Sequence, residues 1–208
     1  MKTIKTILHG CASARSLFFI TIAVLALPNI ALCFTERMGL MGCITNVVLP
    51  TAAVWLLMTL NRSPGKMVWY LFLLVFFAAF QLVLLYLFGH SIIAVDMFLN
   101  LVTTNPGEAF ELLDNLIPAV FGVVIVYVPL LTLAVVSIRR KDRLERGFML
   151  RQRRYAAVAA AAGVLSLGAS YASDRDYRAE LDLYPVNVFY NLGLAVERTA
   201  QTNAYAET

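Results

Sequence analysis

The run MVWYLFLLVFFAAFQLVLLYLFG, residues 67–89, contains no charged side chain. A stretch of this length and character matches the ~20 residues a helix needs to cross the ~30 Å hydrocarbon core of a bilayer. Four further apolar runs share the pattern. They cover Leu17–Phe34, Ile44–Leu60, Leu116–Ile138 and the Ala-rich Tyr155–Ala172. Lipid offers no partner for a free backbone N–H or C=O, so such runs are helices packed on one another. The sequence therefore predicts an all-α integral membrane protein with five transmembrane helices. Composition agrees: 60% of residues are hydrophobic, only 14% are charged, and mean hydropathy is +0.74. A water-soluble domain of 208 residues would need more charge on its surface. Pro28, Pro50, Pro118 and Pro129 fall within or near span ends and read as kinks.

Lys2, Lys5 and Arg15 precede the first span, giving it the look of a signal sequence. Its apolar part exceeds the usual 7–15 residues and no small-x-small site closes it, so an uncleaved anchor fits better than a cleaved peptide. Orientation follows from charge. The N-terminal segment holds three basic residues and the NRSPGK loop two. The RRKDRLERGFMLRQRR loop holds eight, which makes thirteen of the 17 Lys and Arg. Eleven of the 13 acids lie on the other side. The N-terminus is expected in the cytoplasm and the C-terminal tail outside. The net charge of +4 is then a topology signal, and no nucleic-acid partner is implied.

Chemistry is sparse. The chain has two histidines, His9 and His90, and no zinc-type spacing, phosphate loop, HExxH or Gly-x-Ser-x-Gly. No catalytic residue and no metal ligand is expected within this chain. Cys33 and Cys43 both fall near the outer face; a disulfide between them and a pair of free thiols are both compatible with the sequence. The tail after the fifth span, residues 173–208, is too short to bury a core of its own. Its middle, YPVNVFYNLGLAV, is aromatic and amphipathic, suited to the membrane interface. The domain division is thus 1–172 for the membrane part and 173–208 for an interfacial connector.

The most informative loop, 90–115, joins spans three and four on the outer side. Its first part, AVDMFLNLVTT, has helical spacing, with Val95, Phe98, Leu99 and Val102 on one side. Asn100, Thr104 and Glu108 follow at four-residue intervals, interrupted by Asn105-Pro106-Gly107. Pro106 favours an extended residue before it, so a second short helix is predicted to begin there. Asn105 would be its N-cap, Pro106 its first residue and Glu108 its third, the capping-box position. Glu108 therefore has a structural role open to it and a ligand-binding role, and both can hold together. Asp96, Glu111 and Asp114 read as solvated loop acids.

At these residues the chain resembles the N-terminal membrane domain of the lipid A phosphoethanolamine transferases, which include the mobile colistin-resistance enzymes. The shared run is Asn100-x3-Thr104-x3-Glu108, preceded by Met97 and followed by Ala109, Glu111 and Leu112-Leu113. Tyr184-Pro185-Val186-Asn187 resembles the segment leading into that family's soluble domain. The likeness spans essentially the whole chain. It implies a bacterial inner-membrane protein involved in lipopolysaccharide modification and polymyxin resistance. Phosphoethanolamine would pass from phosphatidylethanolamine to a threonine and then to lipid A. The threonine and its zinc ions would lie in a periplasmic C-terminal domain beyond residue 208. Asn100, Thr104 and Glu108 would hold the ethanolamine head group. Two other readings compete: a non-enzymatic five-span transporter subunit or scaffold, and the membrane half of a sulfatase-fold enzyme that transfers glycerol phosphate. Spans nearly free of ionisable residues count against a transporter.

Overall fold

The computed structural model describes residues 13–36, 38–89 and 106–206; residues 88, 106–116, 199 and 201–206 are described by backbone alone. The protein is an all-α bundle, with no strand among the described residues. Its helices are α1 (Ala14–Thr35), α2 (Leu40–Met58), α3 (Pro64–Tyr70), α4 (Phe72–Phe88), α5 (Pro106–Arg139), α6 (Arg146–Ser173), α7 (Ala179–Asp182) and α8 (Val186–Ala206). Four of them are long and apolar enough to cross a membrane alone, and α3 with α4 passes the same test only as a bent pair, which brings the total to four or five.

Ser13 starts α1 by accepting the Ser16 backbone N–H on its side-chain oxygen at 3.1 Å, which satisfies one of the free donors of a helix start. Helix α1 then runs through Pro28 without interruption. Pro50 lies inside α2, and Pro118 and Pro129 lie inside α5. All four prolines are therefore absorbed within continuous helices.

The break in the third span occurs where there is no proline. Leu71, at φ −91° and ψ 12°, separates α3 from α4, and the two helices meet at 66°. Contacts at the start of α3 account for the bend. Gly65 lies so close to α5 that a Cβ there would stand 2.5 Å from the Ala134 carbonyl oxygen. Just before it, the Arg62 carbonyl accepts the Leu144 N–H at 2.7 Å, and Arg62 Nε donates back to the Leu144 carbonyl at 2.9 Å. The short helix is pinned to α5 and to the α5–α6 turn, and α4 turns away from it by 66°.

These ties gather the N-terminus of α1, the α2–α3 loop and the α5–α6 turn at one end of the bundle. Arg15 pairs with Glu145 there at 2.9 Å. This basic end contains Arg62, Lys66 and the cluster from Arg139 to Arg154. Beneath it lies the largest apolar core, in which Phe18, Met67, Leu71, Tyr127 and Phe148 meet.

The most extensive interface joins α2 and α6. Small residues make it possible: a Cβ on Gly163 would lie 2.9 Å from Leu49 Cα. In lipid, close backbone approach and interhelical hydrogen bonds replace the hydrophobic drive that operates in water. Thr45 Oγ1 donates to Ser166 Oγ at 3.0 Å and lies 2.9 Å from Ser170 Oγ. Trp55 Nε1 donates to Gln152 Oε1 at 3.1 Å. Arg153 Nη2 donates to the Thr59 carbonyl at 2.9 Å, closing the end of α2.

Cys33 and Cys43 are free thiols. Cys33 Sγ donates to the Cys43 carbonyl at 3.4 Å, and Cys43 Sγ to the Cys33 carbonyl at 3.8 Å.

Candidate functional site

Of the three loop residues picked out by sequence, Asn100 and Thr104 lie outside the described residues, as does the helix expected over 94–104. Glu108 is described by its backbone. Helix α5 begins at Pro106, so Pro106 and Glu108 occupy the first and third helical positions, as the Asn-Pro-Gly punctuation predicts. The helix does not stop before the fourth span. It continues for 34 residues to Arg139 and includes the fourth apolar run of the sequence. The short outer helix and the span are one rod. At 1.5 Å per residue, Glu108 stands about 12 Å along the helix from Leu116, where the apolar run of the sequence begins.

The end of the bundle opposite the basic loops also carries the tail. Tyr184 donates its backbone N–H to Asn46 Oδ1 at 3.1 Å, and Asn46 Nδ2 reaches the Asn29 carbonyl at 3.4 Å. The Tyr184–Pro185 bond is cis. Tyr184 and Val188 pack with Leu32, Phe77, Leu84 and Leu85 in a second apolar cluster, and Phe189 meets Phe77 edge to face at 5.7 Å. Val186, Tyr190 and Val196 remain exposed on the outer side of α8. The tail segment thus has the amphipathic character read from the sequence. It also inserts its Tyr-Pro corner between α1, α2 and α4, which the sequence did not disclose. Asn29, Tyr184 and Pro185 line a small cavity there of about 20 Å³.

A larger cavity, about 170 Å³, opens at the same end of the bundle. It lies between the α1–α2 turn, the end of α6 and the α6–α7 segment. Its walls include Gly42, Ser173, Asp174, Asp176, Tyr177 and Asp182. Sequence analysis assigned none of these residues a role in a site. The available signal was the spacing of three aspartates around a tyrosine directly after a span.

Among the described residues, no group of three or more His, Cys, Asp or Glu side chains is arranged to hold a metal ion. Zinc therefore finds no ligand set among them, and no step is assigned to it. Comparison with protein-family models, curated proteins and solved structures found no match to this chain.

Proposed function

We propose that this chain is the membrane and lipid-docking part of an inner-membrane transferase that moves phosphoethanolamine from phosphatidylethanolamine to lipid A. The N-terminus and basic end face the cytoplasm, and the tail end faces the periplasm. The observation that carries the reading is the sequence run Asn100-x3-Thr104-x3-Glu108, whose Glu108 is the third residue of a helix continuous with a span. A carboxylate and neutral oxygens suit an ethanolamine ammonium. In this reading the head of α5 forms the outer end of the fourth span, where a lipid head can be handed to a soluble domain. The docked Tyr184-Pro185 corner supports the same reading, because it fixes where the chain leaves the bundle. In this reading a threonine nucleophile and zinc belong to a domain encoded past residue 208.

The bend at Leu71 favours one competitor, because broken helices are characteristic of secondary transporters. A transporter site lines its break with polar groups or helix ends facing a cavity. Here the break lies among Phe18, Met67 and Val75 in an apolar core. The glycerol-phosphate reading lacks the Asn-Thr-Glu run as support.

Reading the native gene past residue 208 tests the proposal directly. A zinc-binding domain with a threonine nucleophile is expected. A stop codon at that point would remove the transferase reading.

A further inference from the structure

The corner between α1 and α2 brings two thiols face to face. Helix α1 ends at Thr35 and α2 starts at Leu40, so the chain turns back within a few residues. Cys33 therefore lies in the last turn of α1 and Cys43 in the first turn of α2. Each sulfur reaches the other residue. Cys33 Sγ donates to the Cys43 carbonyl at 3.4 Å, and Cys43 Sγ donates to the Cys33 carbonyl at 3.8 Å. The two thiols also meet one another. Both are free in this structure, and both are half-buried. An inert cysteine is usually packed away as a small apolar residue; these two stay open to a reagent.

A disulfide needs Cα atoms roughly 4.4–6.8 Å apart and side chains that face each other. Sulfurs that each reach the opposite main chain meet the second need, and helix ends joined by a tight turn keep the two backbones close. The orientation proposed above puts this corner at the periplasmic end, where disulfides form and persist. We infer that Cys33 and Cys43 are a redox pair, which closes to a disulfide by exchange with a disulfide-carrying oxidant. The chemistry rests on the α1–α2 geometry, and the oxidised state in the cell rests on that orientation.

The exchange balances in two steps. The thiolate of one cysteine attacks a sulfur of the oxidant's disulfide, which expels the first thiolate and leaves a mixed disulfide. The second cysteine attacks the protein sulfur of that mixed disulfide and expels the second thiolate. One S–S bond forms and one breaks. The two cysteines are oxidised, the two sulfurs of the oxidant are reduced, and the protons lost by the cysteines pass to the released thiolates. The bond braces the surface on which the tail docks. Cys43 comes three residues before Asn46, which accepts the Tyr184 N–H at 3.1 Å. Its neighbour Gly42 faces the Tyr177 ring, which a Cβ at that glycine would meet at 3.7 Å.

The test uses the full chain, first in cells and then purified. In cells, thiols are trapped with N-ethylmaleimide before lysis, and the chain is mapped by mass spectrometry with and without reduction. Peptides joined through Cys33 and Cys43 are expected, with Cys11 the remaining alkylated thiol. In parallel, the reduced chain in detergent is mixed with oxidised glutathione. The same bond should form, and the unfolding temperature should rise by about 5 °C. Cys33→Ser and Cys43→Ser should each remove that rise and leave a glutathione adduct on the cysteine that stays. Mapping of the unaltered chain needs no variant, so it decides the matter if a variant does not fold. Closure in the purified chain with reduced thiols in cells supports the pair and overturns the proposed orientation. Separate glutathione adducts on Cys33 and Cys43 of the unaltered chain overturn the inference, and so do two thiols that stay unreacted. None of these readouts involves lipid A, so failure of the transferase reading leaves them intact.

Discussion

Tyr184 donates its backbone N–H to the side chain of Asn46 across 138 residues of sequence, at 3.1 Å. Asn46 is completely buried and sits in the middle of α2. One amide therefore ties the exit of the chain to the second span. Its Nδ2 is engaged with the Asn29 carbonyl of α1, which fixes which way the amide faces.

Asn46→Ala leaves the Tyr184 N–H buried and unpaired. The expected cost is about 1–3 kcal/mol. The effect should be local as well as global. In detergent, limited proteolysis should cut after residue 173 faster in the variant, and the unfolding temperature should fall. An unchanged cleavage rate would show that apolar contacts of Tyr184 and Val188 hold the tail unaided.

Gly163 of α6 packs directly against Leu49 of α2. A leucine there would collide with the Leu49 backbone, a group that cannot rotate away. Overpacking of this kind costs roughly 1–3 kcal/mol. Gly163→Leu should lower the unfolding temperature. Gly168→Leu on the same helix, where a Cβ meets nothing within 4 Å, should not. Similar losses from both would indicate that lipid contacts, not the α2 interface, limit stability.

The contrast between these glycines shows what the sequence could disclose. Five spans were legible because a bilayer demands unbroken apolar length, and the helices lie where those runs lie. Helix α5 begins at Pro106 because Asn-Pro-Gly is strong local punctuation. The bend at Leu71 was not legible: LFLLVFF has no breaker, and the cause is Gly65 against Ala134, a contact between distant parts of the chain. The docking of Tyr184 was hidden for the same reason, since its partner is on α2. Tyr177 carried no sequence signal of burial, because the residues that cover it come from other parts of the chain, Gly42 among them. Asn100 and Thr104 lie outside the described residues, so their reading rests on the sequence run alone.

Tyr177 also predicts a pH effect. Its hydroxyl titrates at about 12 in the folded protein against 10.0 normally. The unfolded chain loses this proton first as pH rises. The stabilisation linked to it is complete below pH 10 and is lost between pH 10 and about 12. The unfolding temperature should therefore fall across this window. Tyr177→Phe, with no proton to lose, should flatten that part of the profile. Identical slopes for both proteins would mean that other groups govern alkaline unfolding.

Glu108 separates two roles by charge. As the third residue of α5 it can serve the helix start, a role that a neutral amide performs nearly as well. As a ligand for an ammonium it needs its charge. In the protein encoded by the native gene, Glu108→Ala should reduce lipid A modification, read by mass spectrometry of extracted lipid A. Glu108→Gln decides the cause. If charge is required, Gln should be as impaired as Ala, about 10-fold or more, which corresponds to roughly 1.4 kcal/mol. Gln activity near wild type with Ala impaired would assign Glu108 to the helix start. Full activity in both variants would remove Glu108 from the site, leaving its helical position as its only role.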